Sequence, residues 1–302
     1  MGLCIGLTVL FFLIDVGAAW SALLGADPWW LLAAAALAIN VTFIVAVKLW
    51  AVVRIVDLRR TVWQTWSAVM AGLALNVILP ARGGDLARAV FLSDEEDSIA
   101  LLLGAVLVER LVDVSAIAAV VLVAGFGWNA TTGLSAALIV AALAAGVALA
   151  WLGPRSPIRP DLGERVSRTA SQVARRPGWA GLVAGLSLMA WTNNAALFVC
   201  CLKAVGVSVG WVEGMRASAV SILAGIVPIS ISGIGTRDAV LVLWLEHTGQ
   251  ADAVAAAGLL FTVVAYWFLA LFGALVLGPE TLRTIRTRLK SRGSRGPKTA
   301  EE

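Results

Sequence analysis

Charge is what this chain has least of. Of 302 residues only 14% are charged and 60% are hydrophobic, whereas a soluble domain carries about 25% charged residues. That excludes a soluble globular protein and predicts a polytopic membrane protein. Histidine is nearly absent: His247 stands alone, and a single histidine builds neither a zinc centre nor a catalytic triad. The three cysteines, Cys4, Cys200 and Cys201, are not spaced like metal ligands. Cys200 and Cys201 are neighbours on one apolar run and read as small apolar residues. No metal, cofactor or catalytic constellation is expected. Polar stretches of any length are confined to 153–178 and 279–302, which leaves no room for a soluble catalytic domain. The opening "MGLCIGLTVLFFLI" lacks the basic stretch of a signal peptide and reads as a retained first helix.

Tryptophan and long apolar runs are abundant. There are 13 tryptophans, and Trp29, Trp30, Trp50, Trp63, Trp128, Trp151, Trp179 and Trp211 fall near run ends, as in the aromatic belts at membrane interfaces. A spanning helix needs about 20 mostly apolar residues. Runs suited to it cover 3–24, 29–52, 62–80, 98–124, 134–152, 179–202, 212–231 and 253–278, with short apolar helices at 85–92 and 236–245.

Positive residues collect in cytoplasmic loops. Lys48, Arg54, Arg59 and Arg60 lie around the second connection, six arginines lie in 153–178 and seven basic residues lie in the tail, together 17 of the 23 Lys and Arg. Eight full crossings would leave the arginine-rich linker outside. If 62–92 instead dips in from the cytoplasm and returns, and 212–248 does the same from the outside, every basic cluster is cytoplasmic. The expected fold is therefore all-α: six full spans plus two re-entrant helical hairpins, both termini inside, in one transmembrane domain over 1–280 followed by a basic tail over 281–302. Hairpins entering from opposite faces are the mark of an inverted-topology repeat. "GGDLARAVFL" and "GTRDAVLVL" support one weakly, through a glycine entry, charges and a shared Ala-Val step.

Six basic residues remain: Arg82, Arg88, Arg110, Lys203, Arg216 and Arg237. Arg82 and Arg88 bracket the first hairpin turn with Gly83, Gly84 and Asp85. Arg110 lies inside a spanning run with Glu109 and Asp113, which share a helix face; Arg110 can pair with Asp113 one turn on. An ionised side chain at the bilayer centre costs at least about 2.5–3.5 kcal/mol, so this triplet must face protein or water, and the hairpin tip is the obvious neighbour. Glycines let the chain reverse and let other groups approach it. Asp85 can cap the outgoing helix. A helix start flanked by arginines suits a phosphate or carboxylate. In the second hairpin Ser230, Ser232, Gly233, Gly235, Arg237 and Asp238 offer a similar set. The plain structural alternative is that these charges only satisfy one another. Asp94, Glu95, Glu96 and Asp97 read as a solvated loop, Asp15 as a buried carboxylate and Lys203 as a snorkelling interface residue.

"NVILPARGGDLARAVFL", "VLVERLVDVSA" and "VPISISGIGTRDAVL" resemble the transmembrane domain family of lysylphosphatidylglycerol synthases, also described as flippase-like. The pattern maps onto Asn76, Leu79, Pro80, Ala81, Arg82, Gly84, Asp85, Arg88, Glu109, Arg110, Asp113, Pro228, Ser230, Gly233, Gly235, Arg237 and Asp238, over essentially the whole chain. Asp85 departs from the family's usual glutamate, and the arginine and proline many members carry near Thr262 and Leu269 are missing. The resemblance implies a stand-alone member without the soluble aminoacyl-transferase domain. It implies a multi-pass plasma-membrane protein that binds and translocates an anionic or glycosylated lipid, with the arginines on phosphate and the carboxylates orienting them. The alternative is a membrane-embedded accessory protein or enzyme of lipid or cell-envelope glycan synthesis. A membrane lipid is the expected partner, nucleic acid is not, and the sequence leaves oligomerisation open.

Overall fold

A computed structural model describes residues 16–78, 83–93, 99–124, 168–169, 171–173, 175–226 and 236–276. Asp15, the turn around Arg82, the acidic run at 94–97, the run at 134–152 with Trp128 and Trp151, most of the linker, the 227–235 segment and the tail lie outside the described residues.

Among the described residues the regular structure is helical. The helices are α1 (Val16–Leu24), α2 (Pro28–Ile55), α3 (Val62–Ile78), α4 (Gly83–Leu92), α5 (Ile99–Ala124), α6 (Pro177–Ala204), α7 (Trp211–Ile226) and α8 (Thr236–Trp244). The last, α9, runs Ala251–Val276, with a π-helical turn over Val263–Phe268. The start of α2 follows from local chemistry: Pro28 takes the first turn, and the Asp27 carboxylate accepts from the Trp29 amide at 2.8 Å, meeting one of the free N–H groups of a helix start. Among the described residues three helices, α2, α6 and α9, are long and apolar enough to cross a membrane. At 28 residues each, α2 and α6 reach about 42 Å, longer than the ~30 Å hydrocarbon core. Helix α5 has 26 residues, and its apolar run is broken by Glu109, Arg110 and Asp113.

Helices α2 and α6 form the centre of the bundle and run antiparallel. The Asp27 amide donates to the Ala204 carbonyl at 2.8 Å. Asn40 and Asn193 are joined side chain to side chain at 2.9 Å. Trp50 packs on Trp179 at the far end. Each end carries an aromatic–cation group: Lys203 lies over Trp30 and Trp211, and Arg54 lies over Trp50. Trp30 and Trp50 are about 30 Å apart along the helix, the thickness of a bilayer core. Arg176, at the end of the arginine-rich linker, pairs with Asp57 of the α2–α3 connection at 3.3 Å, so those two basic regions share one end of the molecule.

The two halves of the chain are built alike. A constant shift of 149 residues carries Pro28 onto Pro177, Trp30 onto Trp179, Arg54 onto Lys203 and Val62 onto Trp211. The close of α2 recurs at the close of α6: Leu58 N–H to Val53 O matches Val207 N–H to Leu202 O, and the left-handed residue of the turn is Asp57 in one and Gly206 in the other. The packing follows the same exchange. Helix α3 packs on α2 and α4, and α4 on α5; α7 packs on α6 and α8, and α8 on α9. Where α3 touches the π turn of α9, α7 touches α5. The sequence match also changes register: the short-motif pairing aligned the Ala-Val steps, whereas the constant shift moves the second hairpin by one residue and pairs Arg88 with Arg237.

Candidate functional site

The middle of α5 holds two carboxylates one turn apart, and cations from three sources converge on them. Lys48 of α2 is fully buried and bridges both, at 3.1 Å from Glu109 Oε1 and in direct hydrogen-bond contact with Asp113 Oδ1. The Cα–Cβ bond tilts toward the helix N-terminus, so the Lys48 stem runs back along α2 and carries its ammonium toward the middle of the span. Arg110 closes the group from its own helix, 3.5 Å from Glu109 and 3.3 Å from Asp113. Arg88 arrives from α4, its Nη1 4.0 Å from Glu109 Oε2. Ser187 of α6 donates to Asp113 Oδ1 at 2.9 Å. Removing these charges from water is tolerable because each carboxylate meets at least two cations.

Close backbone approach brings Arg88 there. Gly72 of α3 and Gly84 of α4 lie face to face. A Cβ on Gly84 would overlap the Gly72 carbonyl and come within 2.7 Å of the Asn76 amide; one on Gly72 would lie 2.8 Å from the Gly84 carbonyl and 2.9 Å from Arg88 Cγ. Small residues are what allow two membrane helices to close this far.

The second half has its own arginine centre. The spacing from Arg88 to Glu109 and Asp113 recurs from Arg237 to Gly258 and Thr262. Arg237 Nη2 donates to the Gly258 carbonyl at 2.8 Å and to Thr262 Oγ1 at 2.9 Å. Its Nε and Nη2 donate to Asp238 Oδ1 at 2.8 and 2.5 Å. The guanidinium lies 5.0 Å from the Phe261 ring centroid and 5.5 Å from that of Phe198. Gly258 is needed here too, since a Cβ would run into the Asp238 carboxylate.

One cavity of about 120 Å³ joins the centres, lined by Lys48, Arg88, Arg110, Asp113 and Arg237 among apolar walls. It sits across the join of the two halves. The shift that relates them carries the α2 wall residues Val41, Thr42, Val45 and Lys48 onto Ala190, Trp191, Asn194 and Leu197, which form the α6 wall. The expected grouping of Arg88, Glu109, Arg110 and Asp113 is present, and Arg237 faces the same cavity. Asp238 stands behind Arg237 rather than on the lining. Gly83 begins α4. The side chain of Asp85, and Arg82, Ser230, Ser232, Gly233 and Gly235, lie outside the described residues.

Lys48 requires a correction. Counted by position it belongs with the cytoplasmic loop charges; in the structure it is a buried member of the site. Its place inside an apolar run, before Trp50, is the available signal. Thr262, Trp191 and Asn194 were missed as well, and the constant shift would have pointed to them.

A helical bundle with a net cationic cavity between two antiparallel repeats is a membrane protein with an internal polar site. The family model of the lysylphosphatidylglycerol synthase TM region matches residues 1–273, and the chain belongs to that family. No curated protein matches the chain.

Proposed function

We propose that the protein binds the phosphate-bearing headgroup of a membrane lipid in this cavity and carries it between the leaflets of the plasma membrane. The observation that bears the proposal is the convergence of cations from both halves on one cavity. Lys48, Arg88, Arg110 and Arg237 stand against Glu109, Asp113 and Asp238, a balance of four to three. The one positive charge in excess suits a monoanion such as a phosphodiester. Arginine forks match phosphate oxygens, and the apolar walls suit acyl chains.

The membrane arrangement that fits this reading has six full spans, with α3–α4 re-entering from the cytoplasm and α7–α8 from the outside. Antiparallel packing of equivalent halves supports it, because inverted repeats place the binding site at their join near the bilayer midplane. The shared position of Asp57 and Arg176 supports a cytoplasmic linker, and with it cytoplasmic termini. Each arginine centre would then meet the headgroup from its own side.

Reconstitution into vesicles tests it. Wild-type protein should speed transbilayer movement of a fluorescent anionic phospholipid, and Arg88→Gln should reduce that at least about tenfold, the loss of one charge-assisted hydrogen bond, with an unchanged elution profile. Movement by Arg88→Gln at the wild-type rate would refute the assignment.

A further inference from the structure

Two of the equivalent positions on the α2 and α6 walls differ in how their polar groups are satisfied. On α2, Thr42 is satisfied: its hydroxyl accepts from Trp66 Nε1 at 3.0 Å and donates to the Ile39 carbonyl at 2.7 Å. Its neighbour Val45 is apolar. On α6 the same positions carry Trp191 and Asn194. Trp191 Nε1 and Asn194 Oδ1 are both buried, and neither has a hydrogen-bond partner among the described residues. A buried polar group left unmade costs about 1–3 kcal/mol, and such groups call for a partner that is not part of the chain. Both residues line the cavity.

Their position along α6 narrows the partner. Ser187, Trp191, Asn194 and Phe198 follow one another at helical spacing on a single face. Ser187 holds Asp113 of the first centre, and Phe198 lies under Arg237 of the second. Trp191 and Asn194 thus occupy the stretch between the two cationic centres and offer a neutral donor beside a neutral acceptor. A hydroxyl satisfies both at once, because it accepts and donates.

We propose that Trp191 and Asn194 form a neutral subsite that takes a hydroxyl of the headgroup whose phosphodiester the arginines hold. The proposal rests on the lipid-binding reading above. It makes the ligand a hydroxylated phosphodiester lipid, with either a glycerol or a sugar-like headgroup. Three lipids of equal charge separate the cases: phosphatidylglycerol, phosphatidylinositol and phosphatidylethanol, the last without a headgroup hydroxyl. Full-length protein is placed in phosphatidylcholine nanodiscs with each lipid, and retained lipid is measured by native mass spectrometry. Wild type should retain a hydroxylated lipid about five- to thirtyfold better than phosphatidylethanol, as one or two neutral hydrogen bonds would give; whichever of glycerol or inositol is favoured names the source. Trp191→Phe, which keeps the ring and loses only the N–H, and Asn194→Leu should each lower that ratio about fivefold, and the two together should bring it close to one. Equal retention of all three lipids by wild type, or a wild-type ratio in Trp191→Phe, overturns the subsite. If Arg88→Gln retains every lipid as wild type does, the cationic reading fails by itself; if wild type retains none, both fail.

Discussion

The two arginine centres occupy equivalent places in the two halves and are made differently. Arg88 faces Glu109 on a helix that also presents Asp113, and Lys48 lies against both carboxylates. Arg237 faces a glycine carbonyl and a threonine hydroxyl at the matching positions, with Asp238 beside it and two phenylalanine rings against its guanidinium. Where α2 carries Lys48, α6 carries Leu197. The first centre is a dense ionic cluster whose members depend on one another. The second is a single guanidinium held mostly by neutral groups. One backbone plan therefore accommodates two electrostatic solutions, provided each arginine keeps a partner and neither strands a charge in the bundle.

That contrast predicts unequal sensitivity to substitution. The largest effect belongs to Glu109→Ala, which removes the carboxylate shared by Lys48, Arg88 and Arg110. Breaking a buried pair costs about 3–5 kcal/mol, so thermal unfolding in detergent should show a severe loss or no folded protein. Gly84→Ala comes next. Its methyl group meets the Gly72 carbonyl and the Asn76 amide, backbone that cannot step aside, as well as Asn76 Oδ1, and overpacking of this kind costs about 1–3 kcal/mol; the same assay should show a clear drop, together with weaker lipid retention as Arg88 is displaced. Thr262→Val removes one neutral partner of Arg237 and should cost only about 1 kcal/mol, seen as a small shift in the same melt. A larger loss for Thr262→Val than for Glu109→Ala would reverse the ranking of the two centres.

Much of this was legible in the sequence for physical reasons. Run length and composition placed α2, α6 and α9 because a bilayer sets the length of a spanning helix. Glu109, Arg110 and Asp113 stood out because ionised groups are costly in such a helix, and the structure supplies the partners that cost requires. Lys48 did not stand out, because a count of basic residues by region does not register which way a long side chain runs. The repeat was seen only faintly, because the equivalent positions conserve backbone roles more than chemistry: Glu109 corresponds to Gly258, Asp113 to Thr262 and Thr42 to Trp191. A short motif aligned on its Ala-Val step therefore slid by one residue, whereas the chain-long shift aligns helix starts, the α2 and α6 C-terminal turns and both arginines. Trp191 and Asn194 looked unremarkable in sequence, since only burial without a partner distinguishes them.

The central claim is that both centres serve one ligand in one cavity, and lipid stoichiometry tests it most directly. Phospholipid retained per chain should be counted by native mass spectrometry for wild type, Arg88→Gln and Arg237→Gln. The account predicts one tightly held anionic phospholipid per wild-type chain, lost in either variant. Two lipids per chain with each variant losing one, or a single lipid retained in both variants, would contradict it.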